Sequence, residues 1–165
     1  MFGLKKLISF CMFFPWLSAC AGNGAYELML NGLLKRNVPE IKVDSLNGIL
    51  NDVILLDARE LKEFEVSSLP KAIYVGYDHF DFKKIDKLPK NAKIVVYCSV
   101  GYRSEKITEK LIAKGFTNVS NLYGGIFDWV NSGYPVYHNN QITTNIHPYN
   151  SVWGKWLQKG DKVYR

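Results

Sequence analysis

Short apolar runs separated by charged or turn-forming stretches dominate the chain, and their lengths and periods predict alternating strands and helices. Tyr26, Met29, Leu30, Leu33 and Leu34 recur at helical spacing up to Arg36, which predicts an amphipathic first helix packed on the body of the protein. Ile41-Lys42-Val43 reads as a short strand, with Asp44 or Ser45 capping a helix that runs to Leu50. Val53 to Leu56, Ala72 to Val75, Ile94 to Tyr97 and Val119 to Leu122 are too short for helices and rich in β-branched residues, so each predicts a strand. Between them, Glu60 to Glu65 is a charged turn or short helix and Leu69-Pro70 a turn. Asp78 to Lys87 carries Phe80, Phe82 and Ile85 on one side and predicts a short helix ended by Leu88-Pro89. Ser104 to Lys114 puts Ile107, Leu111 and Ile112 on one face. Glu105 near its start, Lys110 and Lys114 near its end and Gly115 just beyond suit the helix dipole and a glycine stop. Tyr123-Gly124-Gly125 is a turn before a last short helix, Ile126 to Asn131, that carries Trp129. Strands alternating with helices at these intervals predict an α/β fold with a mostly parallel sheet.

The amino terminus follows another pattern. Lys5 and Lys6 precede an apolar stretch, Leu7 to Leu17, of signal-peptide length and too short to span as a permanent helix. Small residues Ser18 and Ala19 then lead to Cys20. Leu17-Ser18-Ala19-Cys20 closely resembles the lipobox of bacterial lipoproteins, which implies cleavage before Cys20 and acylation of that residue. Several acyl chains anchor stably, since each buried methylene adds about 0.8 kcal/mol. An ordinary secretory signal or an amino-terminal membrane anchor is the alternative, and Pro15 within the apolar stretch weighs against the anchor. The organisation expected is a signal peptide over 1–19, a lipid-anchored tether (Ala21 to Gly24) and first helix over 20–37, one globular domain over 38–137, and a tail over 138–165. The domain would then sit in the cell envelope, lipid-anchored on the periplasmic or extracytoplasmic side of a membrane. In a Gram-negative cell, Ala21 rather than Asp after the cysteine resembles the outer-membrane sorting pattern.

Processing changes the charge and the cysteine inventory. The formal net charge of +6 falls to +4 once Lys5 and Lys6 are lost, 19 basic residues against 15 acidic ones. No dense Lys/Arg run accompanies this mild excess, so no nucleic-acid partner is expected, while weak attraction to anionic head groups is compatible with it. The remaining length supports one core rather than two, and a monomer is expected. Cys11 leaves with the signal and the Cys20 sulfur becomes a thioether, so Cys98 is left as the only free thiol. In an oxidising envelope a free thiol is a liability, which favours a chemical use for it. His79, His138 and His147 show no metal-ligand spacing, and neither metal nor cofactor is expected.

The candidate chemistry lies in Val95-Val96-Tyr97-Cys98-Ser99-Val100-Gly101-Tyr102-Arg103-Ser104, read as strand, tight loop and helix. Cys98 falls at the carboxyl end of a strand, where open α/β sheets bind ligands. Backbone N–H groups of a loop curling into a helix, with the positive end of the dipole, stabilise an anion there. The nearest candidate anion is the Cys98 thiolate, the nucleophilic form. Gly101 lets the loop turn tightly, and Arg103 adds a planar fork suited to a sulfonate, phosphate or carboxylate. A lone cysteine after an apolar strand is more often a small buried hydrophobe; Gly101, Arg103 and the clean helix start shift the balance toward a nucleophile.

From about Val38 to Val136 the chain resembles a single-domain rhodanese, a sulfurtransferase module. The matching residues are Leu55-Leu56-Asp57-Ala58-Arg59-Glu60, Glu63-Phe64, Cys98-Ser99-Val100-Gly101-Tyr102-Arg103-Ser104 and Leu122-Tyr123-Gly124-Gly125-Ile126-Phe127-Asp128-Trp129, in the family's order and spacing. The resemblance implies a five-stranded parallel sheet with helices on both faces, and Cys98 as carrier of a transferable sulfur. Many members have His, an aliphatic residue, Pro, Gly and Ala where this chain has Ser68-Leu69-Pro70-Lys71-Ala72. On this reading the Cys98 thiolate takes a sulfane sulfur from thiosulfate or another donor, and a small or protein thiol or cyanide accepts it. Arg103 orients the anionic donor, and the loop from Ser99 to Ser104 stabilises the developing charge. The Ser99 and Ser104 hydroxyls either assist or cap the helix, and Val100 and Tyr102 either line the loop rim or are plain surface. Asp57 and Arg59 read as a structural ion pair, and Gly124 and Gly125 as positions of close backbone approach.

Two rival functions stand beside this one. Related phosphatases have five residues between cysteine and arginine, room for a tetrahedral phosphate, whereas four intervene here; the smaller ring suits a sulfur atom and weighs against phosphatase or arsenate reductase activity. A non-catalytic binding or sensing module of the same family is the other. The tail lies outside the resemblance, and its Val152, Trp153, Trp156 and Leu157 either pack back on the domain or form a lid or docking patch.

Overall fold

The computed structural model describes residues 21–164; the segment read as a signal peptide, with Cys20, lies outside them. Five strands build the central sheet: β1 (Glu40–Ile41), β2 (Ile54–Asp57), β3 (Ile73–Tyr74), β4 (Ile94–Tyr97) and β5 (Val119–Leu122), in the order β1-β5-β4-β2-β3. Every pairing within it is parallel. Strand β4 is central and buried along its whole length, which explains why its four residues are continuously apolar rather than alternating.

Alternation along the strands divides the core into two layers. Leu55, Val95, Tyr97 and Leu122 point to one side and meet Leu30 of α1 (Ala21–Leu33), Leu46 of α2 (Val43–Asn47) and Phe127 and Trp129 of α5 (Gly125–Asn131). Leu56, Ile94, Val96 and Val119 point to the other, against Ile107 and Leu111 of α4 (Tyr102–Ala113). A short helix, α3 (Leu61–Val66), lies at the carboxyl edge of β2 and buries a single residue, Glu63. No helix among the described residues is long and apolar enough to cross a membrane.

Several elements differ from their sequence-based outlines. The small residues Ala21 to Gly24, read as a tether, belong to the start of α1; a helix anchored by Tyr26, Leu30 and Leu34 propagates one turn outward at little cost. Val43 opens α2 instead of closing β1, and Asp44 and Ser45 lie inside that helix, whose amino-terminal cap is Lys42. Asp78 to Lys87 forms only one 3₁₀ turn, Phe82–Lys84, in which the Asp81 carboxylate accepts the Lys83 N–H at 3.0 Å. Phe80, Phe82 and Ile85 still pack against the second layer, so the apolar spacing is met without a full helix.

The tail packs on the domain with strands of its own. β6 (Val136–His138) and β7 (Gln141–Thr143) form a hairpin whose two-residue turn, Asn139-Asn140, has both φ angles positive, the geometry that matches strand twist. β8 (Asn145–Ile146) pairs in parallel with β9 (Asp161–Lys162), and a 3₁₀ turn, Trp153–Trp156, lies between them. Leu157 is 1% exposed within the first layer, Trp156 stacks beside Tyr26 at 5.7 Å, and the Asn131 side-chain amide donates to the Trp156 carbonyl at 2.8 Å. Leu157→Ala should therefore lower the unfolding free energy by about 3 kcal/mol, measured by denaturant titration. A loss below about 1 kcal/mol would mean that the tail is not part of the core.

Candidate active site

Cys98 follows the last residue of β4, 1% exposed, and opens the loop that enters α4. Gly101 is the residue before that helix, with φ of +109°, a conformation a side chain resists, and its N–H donates to the Cys98 sulfur at 3.2 Å. Its carbonyl accepts from the Asn121 side-chain amide at 3.1 Å, and the Ser104 hydroxyl donates to Asn121 Oδ1 at 2.7 Å. Ser104 thus fastens the loop to β5.

The other side of the loop is held by α5. The N–H groups of Ile126 and Phe127 donate to the carbonyls of Cys98 and Ser99 at 2.9 and 3.1 Å. Such an approach requires glycine at 125: with φ of +58°, a Cβ there would lie 2.6 Å from the Ser99 carbonyl oxygen and nearer still to that of Cys98. Gly124, also at positive φ, accepts the Tyr26 hydroxyl on its carbonyl at 2.8 Å, which joins α1 to the same turn.

Ser99 and Arg103 are gathered by a residue that sequence reading left out of the site. The Glu63 carboxylate, fully buried, accepts from Arg103 through both terminal nitrogens, at 2.6 and 2.8 Å, from the Ser99 hydroxyl at 2.9 Å and from the Glu60 N–H at 3.0 Å. Burial, the largest influence, works to raise its pKa, yet the Arg103 bonds, aided by Arg59, hold it below the usual carboxylate range. The Arg103 fork is engaged by Glu63 while the residue also lines the pocket at Cys98. A guanidinium and a carboxylate within reach in a nearly dry site pair because either alone would be costly to bury. The capping-box spacing of Glu60 and Glu63 at the start of a helix was the available signal, and it marked a cap rather than a site.

Neither serine caps α4: the Ser99 hydroxyl bonds Glu63, and that of Ser104 bonds Asn121 and the Gly101 carbonyl. Asp57 and Arg59, both fully buried, form an ion pair at 2.6 Å, and Arg59 also donates to the Ser67 carbonyl at 2.6 Å. Arg59 lies over the Tyr97 ring at 5.6 Å, so it fixes the end of α3 against β4. A pocket of about 240 Å³ opens at the cysteine. Cys98, Ser99, Val100, Tyr102 and Arg103 of the loop and α4 line it together with Glu60, Tyr77 and Asp78, and with Tyr149 and Trp153 of the tail. No group of three or more His, Cys, Asp or Glu among the described residues has the geometry to hold a metal ion.

The rhodanese-like domain profile matches residues 42–132. A sulfurtransferase of Allochromatium vinosum is 33% identical over 102 residues, 60% of this chain and 94% of that protein. A tRNA uridine(34) hydroxylase of Buchnera aphidicola is 36% identical over 107 residues, 58% of this chain but only 33% of the enzyme. Several of the curated relatives are longer proteins of which this chain spans about a third or less. The fold is shared with thiosulfate sulfurtransferase from Pseudomonas aeruginosa, with a TM-score of 0.57 at 22% identity over 71% of this chain and 23% of that one. The sheet order, the cysteine loop held between α4 and α5, and the matched profile lead to one assignment: this chain belongs to the rhodanese-like domain family.

Proposed function

We propose that the protein is a sulfurtransferase that moves a sulfane sulfur from thiosulfate or another donor to a thiol or cyanide through a persulfide on Cys98, working from a membrane to which lipidated Cys20 ties it. The observation that carries this reading is the Gly101 N–H aimed at Cys98 Sγ on a loop that opens into a pocket. With thiosulfate, the thiolate attacks the outer sulfur, the Cys98 Sγ–S bond forms as the donor S–S bond breaks, and sulfite leaves with the electron pair. An acceptor thiolate or cyanide then takes the outer sulfur and returns Cys98 to the thiolate.

The loop amide favours the anionic sulfur before and after transfer. Arg103, paired with Glu63, acts by positioning: it ties α4 to α3 and holds Ser99, so the loop keeps its curvature. The near relation to a sulfurtransferase matched over most of its length supports the reaction class. The lipobox-like run before Ala21 supports the location.

Purified protein incubated with thiosulfate and no acceptor should gain one sulfur, about 32 Da by intact mass, and lose it on adding cyanide. Cys98→Ser should gain none. Wild-type protein with a reduced Cys98 that takes no sulfur from thiosulfate or polysulfide would favour a binding module instead.

Because Glu63 has a lowered folded-state pKa, its pair with Arg103 stabilises the protein fully above the ordinary value of 4.5, and that contribution is lost as pH falls through the lower folded value. Tm should thus fall less steeply from pH 5 to pH 3 in Glu63→Gln than in wild type, with a lower Tm at pH 7. Equal slopes would show that the fold does not lower the Glu63 pKa, and a steeper fall in the variant that the fold raises it.

Growth with an alkyne fatty acid should label the wild-type chain and not Cys20→Ala. Absence of label from the wild type would remove the lipid anchor.

A further inference from the structure

The pocket over Cys98 is wider, more aromatic and more acidic than a small dianion requires. Four rings surround it: Tyr77 and Tyr102 from the matched domain, Tyr149 and Trp153 from the tail beyond it. Two carboxylates, Glu60 and Asp78, line it, and Arg103, 4.0 Å from Glu60, is the one cation among the described residues that do. That cation is already paired with Glu63 by two hydrogen bonds, and its guanidinium is covered by the Tyr149 ring at 4.9 Å. A dianionic donor would meet a net negative wall in a site partly shielded from water. An apolar group gains area against the rings, and a cationic one gains from both rings and carboxylates.

The tail residues are held in place for this. Tyr149 adopts φ of +65°, a left-handed conformation unusual for a bulky residue, and its N–H donates to Nδ1 of the buried His147 at 3.0 Å. The Asn150 side chain accepts the N–H groups of Val152 and Trp153, each at 3.0 Å, and so sets the turn that presents Trp153. Three and four residues further on, Trp156 and Leu157 pack into the core. Both rings therefore reach the pocket from a fixed support, so little ordering is left for a ligand to impose.

We propose that the pocket selects an organic persulfide, R–S–SH, with an apolar or cationic R group, as the sulfur donor, and that Tyr149 and Trp153 determine this specificity. The inference rests on the sulfurtransferase reading above. The Cys98 thiolate attacks the terminal sulfur; the Cys98 Sγ–S bond forms while the R–S–S bond breaks. Its electron pair leaves on R–S⁻, the terminal sulfur keeps its proton, and the product is the Cys98 persulfide. The transferred sulfur brings its own oxidation level, so no oxidant enters.

The test follows Cys98 loading by intact mass in the full-length chain with thiosulfate, benzyl persulfide and cysteamine persulfide. Each rate is divided by the rate with free N-acetylcysteine thiolate, so that intrinsic donor reactivity cancels. Both persulfides should exceed thiosulfate by about tenfold or more after this correction. Added salt should speed thiosulfate and slow cysteamine persulfide, because it screens a repulsion and an attraction respectively. Tyr149→Ala, or Trp153→Leu, which retains apolar packing, should lower the benzyl persulfide to thiosulfate ratio about tenfold. Asp78→Asn should raise relative use of thiosulfate. Equal corrected rates in the wild type, or an unchanged ratio in both tail variants, would overturn the specificity while leaving the sulfurtransferase reading intact. No loading from any donor would overturn both.

Discussion

Removing the Glu63 carboxylate from water would be prohibitive if any of its partners were missing, and those partners come from three separate pieces of chain. Glu60 supplies a backbone N–H from the start of α3, Ser99 a hydroxyl from the cysteine loop, and Arg103 two N–H groups from the first turn of α4. Four donors satisfy both oxygens, so the charge is stable only with helix, loop and second helix in their native places. Removal of one partner leaves the others buried and unpaired, which is how a single side chain specifies the position of a loop. Arg59 does the same at the far end of α3 through Asp57 and Ser67. The short helix has almost no apolar anchor of its own, and polar bonds at both ends hold it against the sheet.

This arrangement changes what stabilises negative charge at Cys98. The arginine five positions after the cysteine is bonded to Glu63, and its charge acts on both Glu63 and Cys98. Backbone dipoles, the Gly101 N–H and the amino end of α4, act on the sulfur together with the Arg103 charge. Dipoles fixed by covalent geometry need no reorganisation when charge develops beside them. The loop carrying them is itself held by α5, whose first N–H groups grip the Cys98 and Ser99 carbonyls. Gly125 is indispensable because that grip leaves no space for a side chain.

The parallel sheet was legible in the sequence because its strands are covered on both faces, so burial alone determines their composition. Ile94 to Tyr97 is a clear instance, an uninterrupted apolar run with a cysteine at its end. Elements with weaker burial were harder to outline. Val43 looks like strand but starts a helix, because β1 has only β5 beside it and its pairing ends at Ile41 with Leu122. Within the site, Cys98, Ser99, Gly101 and Arg103 are contiguous in sequence and could be read together. Glu63 is 35 residues before Cys98 and meets Ser99 and Arg103 only through the fold, and its capping-box spacing has a purely local explanation. The tail hairpin did have a local signal, Asn139-Asn140 between short alternating segments, which went unread because the family resemblance ends before it.

Tail and site are joined by physical necessity. Residues 153–157 place Trp153 in the pocket lining and Leu157 in the core within about one turn of chain, so the segment that lines the pocket also packs into the first hydrophobic layer. Leu157 and Trp156 hold the turn down, and the Tyr149 ring rests on the Arg103 guanidinium. A left-handed tyrosine costs on the order of 1 kcal/mol, which the surroundings must offset. His147 and the aromatic contact to Arg103 are what face it. Strain of this kind persists where a side chain must reach a point that relaxed backbone would miss, and here that point is the wall of the cysteine pocket. The domain's electrostatic centre thus faces both ways: inward it holds the loop through Glu63, and outward it seats the Tyr149 ring that lines the cysteine pocket.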